Sequence, residues 1–129
     1  MNLLLDTHAL LWWLLDSDRL RGRAYDAIAD AHNAVFVSAA TVWEIAIKAG
    51  LGKLDVPPDL TVWLPSEFSA NQFAALPIHM SHALGVERLP NLHADPFDRL
   101  LIAQAIAEGL TLVTADQKIE RYDVRVLRC

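Results

Sequence analysis

The stretch His93-Ala94-Asp95-Pro96-Phe97-Asp98-Arg99-Leu100-Leu101-Ile102-Ala103-Gln104-Ala105 places two carboxylates and an arginine at the start of an apolar helix. Proline is favoured at the first helical position, where its missing N–H would have no intrahelical partner. Asp95 is therefore the predicted N-cap, Asp98 the third helical residue, and the helix is predicted over 96–108. Its predicted buried face contains Ile102, Ala105 and Ile106, with Leu101 beside it.

Both acids of this stretch have a purely structural explanation. Asp95 would accept hydrogen bonds from the first-turn N–H groups, and Asp98 would lie favourably at the positive end of the helix dipole. A functional role therefore depends on whether other acids converge on the same place.

Length and composition predict one domain, residues 1–129, large enough to bury a core. The hydrophobic fraction of 53% and the mean hydropathy of +0.24 argue against disorder and favour a well-buried sheet. The apolar run 9–15 is too short to span a membrane, and no secretory signal precedes it. The single cysteine, Cys129, can form no internal disulfide, which fits a reducing compartment, and we expect a cytoplasmic protein. Because no membrane span is predicted, we also expect no membrane partner.

The charge balance restricts how the chain could act on nucleic acid. Eleven Lys and Arg residues against sixteen Asp and Glu residues give a net charge of -5. Bulk charge of this sign disfavours non-specific binding to a polyanion. A role on RNA or DNA would need local basic groups, bound metal ions or a basic partner.

Short apolar segments alternate with amphipathic ones along most of the chain. Strands are predicted at 1–5, 35–37, 73–77, 111–114 and 124–127. Helices are predicted at 9–15, 22–31, from Ser38 or Thr41 to Lys48, and at 59–69, 81–89 and 96–108. This alternation predicts an α/β fold in which a parallel sheet has helices on both faces, with the last strand at an edge.

Acids follow the carboxyl ends of several predicted strands, where open α/β sheets bind their ligands. Asp6, Glu44 and Asp116 hold such positions, and Asp98 begins the helix that leads into the strand before Asp116. Each acid also has a capping explanation: Asp6 or Thr7 for the first helix, and a capping box ending at Glu44 for the third.

A cluster of these carboxylates would be unfavourable without a cation, because close like charges raise one another's pKa. Mg²⁺ or Mn²⁺ would bind such oxygen ligands, usually together with waters. An ion held this way suits phosphodiester hydrolysis and would let an acidic protein approach a polyanion.

Four motifs carry a resemblance that extends, in order, over essentially the whole chain. They are Leu3-Leu4-Leu5-Asp6-Thr7-His8, Ser38-x-x-Thr41-x-Trp43-Glu44-Ile45-x-x-Lys48, His93-x-Asp95-Pro96-Phe97-Asp98-Arg99-x-Leu101-Ile102-Ala103-Gln104-Ala105 and Leu112-Val113-Thr114-Ala115-Asp116. Together they resemble the PIN-domain family and, more narrowly, its VapC-type toxins of prokaryotic type II toxin–antitoxin systems.

The resemblance implies a PIN-like three-layer fold with a central parallel sheet of four to five strands flanked by helices. It also implies a Mg²⁺-dependent endoribonuclease, with Mn²⁺ as a substitute, that cleaves RNA through metal-activated water. A cognate VapB-like antitoxin with a basic tail would neutralise it, within a homodimer or a toxin–antitoxin hetero-oligomer. The catalytic residues would be Asp6, Glu44, Asp98 and Asp116; of these, Asp6, Asp98 and Asp116 would bind the ion and Glu44 would orient or deprotonate the water.

Four further residues have two interpretations each. Asp95 is either the helix cap or an outer-shell ligand. Arg99 either contacts a phosphate or pairs with Asp95 or solvent. Thr7 and Thr114 either hydrogen-bond a metal-bound water or cap their segments.

Other functions fit the sequence less well. A phosphatase with Asp6 as nucleophile would want a second aspartate two residues on, where the chain has His8. A zinc site at His79 and His82 lacks a nearby cysteine, so these residues and His93 are predicted to be hydrogen-bonded structural histidines. A catalytically silent binding module, whose acidic pocket receives a basic peptide, remains the alternative. The four tryptophans are interpreted as core or partner-groove residues.

Overall fold

Five parallel strands form the central sheet of the computed structural model, which describes residues 1–129. The strands are β1 (Asn2–Leu5), β2 (Ala34–Ser38), β3 (Ala74–Leu76), β4 (Thr111–Thr114) and β5 (Val126–Arg128). Their order is β3-β2-β1-β4-β5, so β1 lies in the centre. The last strand, β5, lies at an edge, as predicted. All four strand pairs are parallel, which brings the carboxyl ends of the strands to one edge of the sheet.

Six helices connect and cover the strands. They are α1 (Thr7–Leu14), α2 (Gly22–Ala29), α3 (Ala39–Gly50), α4 (Leu60–Asn71), α5 (Met80–Gly85) and α6 (Pro96–Glu108), with short 3₁₀ turns at Val86–Arg88 and Ile119–Arg121. None of the helices combines the length and hydropathy that crossing a membrane requires.

Two apolar cores, one on each face of the sheet, confirm the three-layer arrangement. Leu3 and Leu5 of β1 lie in the first core, while Leu4 lies in the second, because successive strand residues point to opposite faces. The first core includes side chains from α1 to α4, and the second includes Leu101 and Ile102 of α6. Burying each such leucine contributes about 1.5–3 kcal/mol, which explains why the three buried residues of the central strand are all leucine.

Helix α6 begins and ends where the sequence predicts. Asp95 is its N-cap, Pro96 occupies the first turn, and Gly109 ends it with a φ of +67°, a conformation that glycine adopts without strain. The buried residues run from Leu101 to Ala105. The prediction for Ile106 was wrong, since its side chain is 49% exposed.

Other differences lie at helix starts and ends. Ser38, whose side chain accepts a hydrogen bond from the N–H of Ala40, is the N-cap of α3, so the predicted capping box ending at Glu44 does not form. The helix predicted over 81–89 is instead α5 followed by a 3₁₀ turn, and β5 begins two residues later than predicted.

Candidate active site

Asp6 and Thr114 lie side by side because β1 and β4 are neighbours in the sheet. Asp6 follows β1 directly and caps α1, with Oδ1 accepting the N–H of Ala9 at 2.8 Å. Thr114 ends β4; its hydroxyl donates to the carboxylate of Asp6 and accepts the N–H of Asp116 at 3.0 Å. Thr114 therefore links two of the predicted acids.

Glu44 reaches the same edge from α3 and is almost fully buried, at 5% exposure. Its Oε1 accepts the hydroxyl of Thr7 at 2.6 Å, and its Oε2 accepts Lys48 Nζ at 2.7 Å. Thr7 is thus a partner of Glu44 rather than a cap. Lys48, to which the sequence assigned no role, has a raised pKa chiefly because of the hydrogen bond to Glu44.

Asp95 and Asp98 lie at the start of α6, which packs against α3. Asp95 Oδ1 accepts the N–H groups of Phe97 at 2.8 Å and Asp98 at 3.2 Å, which confirms its capping role. Asp98 does not cap the helix and lies within reach of the charges of the other acids. Burial, followed by the charges of Asp95 and Asp6, raises the pKa of Asp98 to about 7.

The other two ion-binding candidates differ in the direction of their pKa shifts. Burial raises the pKa of Asp6 above its ordinary value. Burial also acts to raise the pKa of Asp116, but hydrogen bonds from the N–H of Lys118 and from His93 lower it overall. The unfavourable negative charge is therefore concentrated on Asp6 and Asp98, inside the site.

His93 lies inside the acidic site, which the sequence analysis missed. Its Nε2 is 2.7 Å from Asp116 Oδ2 and 3.0 Å from Asp98 Oδ2. One ligand atom from each of these three residues lies within 4.8 Å of the other two. The position of His93 two residues before the helix cap was the available signal, since such a residue lies beside the first turn.

Arg99 does not pair with Asp95, contrary to one of its predicted roles. Its guanidinium donates to the carbonyls of Pro90 at 2.9 Å and Val86 at 3.2 Å, and to the hydroxyl of Tyr122 at 3.2 Å. Arg99 therefore connects the segment before α6 to the helix.

The remaining histidines and tryptophans mostly follow the predictions. His82 is buried and hydrogen-bonded to Glu108 at 2.8 Å and to the N–H of His79 at 3.0 Å, as expected of a structural histidine. Three tryptophans pack against the first core: Trp12, Trp13 and Trp63. Trp43 is 59% exposed and packs edge-on against Phe97, with ring centroids 5.2 Å apart.

The raised pKa of Asp98 predicts how stability depends on pH. A carboxyl with a folded-state pKa of about 7 binds more protons in the folded than in the unfolded chain, so its contribution to stability falls as pH rises from about 4 to about 7. In EDTA, we expect the free energy of unfolding to be about 1 kcal/mol higher near pH 5.5 than near pH 8. Urea titrations at the two pH values measure this difference. The lowered pKa of Asp116 acts only below this window, and stability that rises steadily from pH 5.5 to 8 would contradict the prediction.

The fold and the site define a class of protein: an α/β domain whose parallel sheet carries a cluster of acids at its carboxyl edge. The chain belongs to the PIN domain family, whose family model matches residues 3–125. It is similar to Ribonuclease VapC22 of Mycobacterium tuberculosis (strain ATCC 25618 / H37Rv), with 31% identity over 122 residues that cover 94% of this chain and 92% of that protein. The predicted resemblance is thereby confirmed.

Solved structures share the fold over the full length of the chain. VapBC2 from Rickettsia felis, solved bound to a promoter DNA fragment, superposes with a TM-score of 0.74 at 18% identity, covering 100% of this chain and 99% of that one. VapBC from Salmonella typhimurium, also DNA-bound, gives a TM-score of 0.72 at 15% identity, covering 99% and 98%. These likenesses confirm the PIN-like arrangement of the sheet and helices.

Proposed function

We propose that this chain is a Mg²⁺-dependent endoribonuclease toxin of the VapC type. The observation that carries the proposal is that Asp98 and Asp116 lie close together and that the charges of Asp6 and Glu44 act on Asp98, although the four acids come from four separate segments. Capping explains Asp6 and Asp95 but not the raised pKa of Asp98 or the burial of Glu44. The relative named as a ribonuclease supports RNA as the substrate.

The residues present fit a hard divalent cation. Carboxylate oxygens are the ligands that Mg²⁺ and Mn²⁺ prefer, and no thiolate lies in the cluster to favour a softer metal. The raised pKa values of Asp6 and Asp98 indicate that their charges are poorly compensated by the protein alone. Asp6, Asp98 and Asp116 would hold the ion. Asp95 would contribute by capping the helix that positions Asp98.

The protein groups then have distinct roles. A bound divalent ion would supply charge compensation at the phosphate and a lowered pKa for water. Glu44 accepts the proton of the attacking water or orients it, and the hydroxyl of Thr7 fixes the carboxylate for that task. Lys48 holds the other oxygen of Glu44 and brings a positive charge close to the place where the RNA phosphate would bind.

We also propose neutralisation by a VapB-like antitoxin with a basic tail, in a toxin–antitoxin hetero-oligomer or around a toxin homodimer in the cytoplasm. The net charge of -5 suits a basic partner. An apolar groove between α3 and α4, lined by Val42, Ala46, Leu60, Leu64 and Phe68, offers space for an amphipathic helix. The VapBC structures that share the fold support this kind of partner.

Incubation of the purified chain with single-stranded RNA tests the proposed reaction. We expect cleavage in millimolar Mg²⁺ or Mn²⁺, none in EDTA, and recovery when the ion is restored, because the acids depend on it for charge compensation. Asp6→Asn, purified in parallel and shown to be folded, controls for contaminating nuclease and should be inactive. Cleavage that persists in EDTA would contradict the mechanism. A folded protein that binds a basic antitoxin peptide but never cleaves RNA would favour the silent binding module.

A further inference from the structure

His93 contacts two of the proposed ion ligands at once. Its ring is 9% exposed, and Nε2 contacts Asp116 Oδ2 at 2.7 Å and Asp98 Oδ2 at 3.0 Å. The contact with Asp116 is a hydrogen bond with the short distance of a charge-assisted one, and the contact with Asp98 is a close electrostatic contact. His93 therefore contacts two of the carboxylates that would hold the cation.

The other ring nitrogen shows which tautomer this geometry requires. Nδ1 of His93 accepts the backbone N–H of Asp95 at 3.2 Å. A nitrogen that accepts a hydrogen bond carries no proton, so the proton of the neutral ring is on Nε2. Nε2 then donates its proton to Asp116, lies close to the carboxylate of Asp98, and has no free lone pair for a metal.

This arrangement is the reverse of the one typical of a metal-binding histidine. Such a histidine donates its second ring N–H to a carboxylate or a carbonyl, which leaves the first nitrogen free to coordinate. Here the backbone N–H of Asp95, fixed by the start of α6, holds the ring in the opposite tautomer.

We propose that His93 is a hydrogen-bond donor that competes with the divalent ion for Asp98 and Asp116 and so sets the ion affinity of the site. It is a positioning residue, and the inference rests on the proposed ion site. Binding of the ion at these oxygens would require the Nε2–H of His93 to release them. Without an ion, the Nε2–H of His93 lies between the carboxylates of Asp98 and Asp116. A bound ion would replace it there.

Two substitutions at His93 test the hydrogen bonds of the two ring nitrogens separately. In His93→Asn, the side-chain oxygen can occupy the place of Nδ1 and accept the N–H of Asp95, but no donor reaches the carboxylates. In His93→Gln, the amide nitrogen can occupy the place of Nε2 and keep the donor. Mn²⁺ is the probe, measured by calorimetry and by the loss of the free-ion electron paramagnetic resonance signal.

We expect His93→Asn to bind Mn²⁺ about tenfold more tightly than the unaltered chain, which is what losing one competing charge-assisted hydrogen bond is worth. His93→Gln should stay within about threefold of the unaltered chain. In EDTA, His93→Asn should melt at a lower temperature, since the carboxylates lose their bridge. His32→Asn, at an exposed histidine beside Asp30, is the matched control and should change nothing.

Each other outcome has a distinct meaning. Weaker or unchanged Mn²⁺ binding by His93→Asn overturns the inference, as does a pulsed-resonance ¹⁴N coupling from a directly bound imidazole in the unaltered chain that His93→Asn removes. If the unaltered chain and both His93 variants bind no Mn²⁺, the proposed ion site itself fails. Tighter binding by His93→Asn together with no RNA cleavage supports the competition and rejects only the proposed reaction.

Discussion

Replacing Asp98 by asparagine is expected to lower RNA cleavage by about 100-fold or more, because even outer-shell partners of a bound metal are worth about 10–100-fold. The same change should raise the melting temperature of the protein in EDTA. The two effects have one cause. The negative charge of Asp98 would attract the ion, and the same charge destabilises the folded chain when no ion is bound. Replacing an acid that serves function is expected to lower activity and raise stability, whereas replacing an acid that serves the fold lowers stability.

The stability gain follows from the surroundings of Asp98. Its side chain is only 18% exposed, and burial and the neighbouring acids raise its pKa to about 7. Asparagine keeps the shape without the charge, but it loses the favourable helix dipole and part of the contact with His93. Allowing for these losses and for solvent screening, we expect a net gain of about 1–2 kcal/mol near pH 8, or about 3–6 °C.

Calorimetry in EDTA and in Mg²⁺, together with an RNA cleavage assay, checks both effects. Asp26→Asn, at an exposed position on α2, is the matched control and should leave activity and stability unchanged. The Mg²⁺-induced rise in melting temperature should be present in the control and lost in Asp98→Asn. A destabilised Asp98→Asn would show that Asp98 serves the helix start, and one with full activity would remove it from the site.

Most of the fold follows from the sequence because several signals agree. The run Leu3–Leu5 is apolar throughout, a pattern typical of a strand that is covered on both faces. In the structure its side chains are divided between the two cores. Asp95, Pro96 and Gly109 define both ends of α6. Helix α3 was less well predicted, because Ser38 and Thr41 were equally good caps in the sequence and only the course of β2 decides between them.

The site was predicted in part for a similar reason. The sequence indicates which acids follow strands, but not which nearby groups are free to face them. His93 and Arg99 each flank the acids by a few residues, yet only His93 contacts them, while Arg99 binds backbone carbonyls. Of the two partners of Glu44, Lys48 lies one turn further along α3 and is visible in the sequence, whereas Thr7 depends on how α1 packs against α3.

A buried polar network joins the helix that carries Asp98 to the helix that carries Glu44. Gln104 of α6 and Ser38, the N-cap of α3, are both fully buried. The hydroxyl of Ser38 donates to Gln104 Oε1 at 2.5 Å and accepts the N–H of Ala40 at 3.0 Å. The amide nitrogen of Gln104 reaches the carbonyl of Pro77 at 3.3 Å. The start of α3 is thereby fixed against α6 across the sheet edge.

Replacing Gln104 by leucine is therefore expected to lower the free energy of unfolding by about 2–3 kcal/mol, because it leaves the buried hydroxyl of Ser38 without an acceptor while filling nearly the same volume. Removing both partners in the Ser38→Ala, Gln104→Leu double variant should cost at least about 1 kcal/mol less than the sum of the single changes, since neither member of the Ser38–Gln104 hydrogen bond then remains without the other. Urea unfolding of the four proteins measures this coupling, with Gln117→Leu as an exposed control. Strict additivity, or a Gln104→Leu protein as stable as the control, would mean that packing rather than the hydrogen bond joins the two helices.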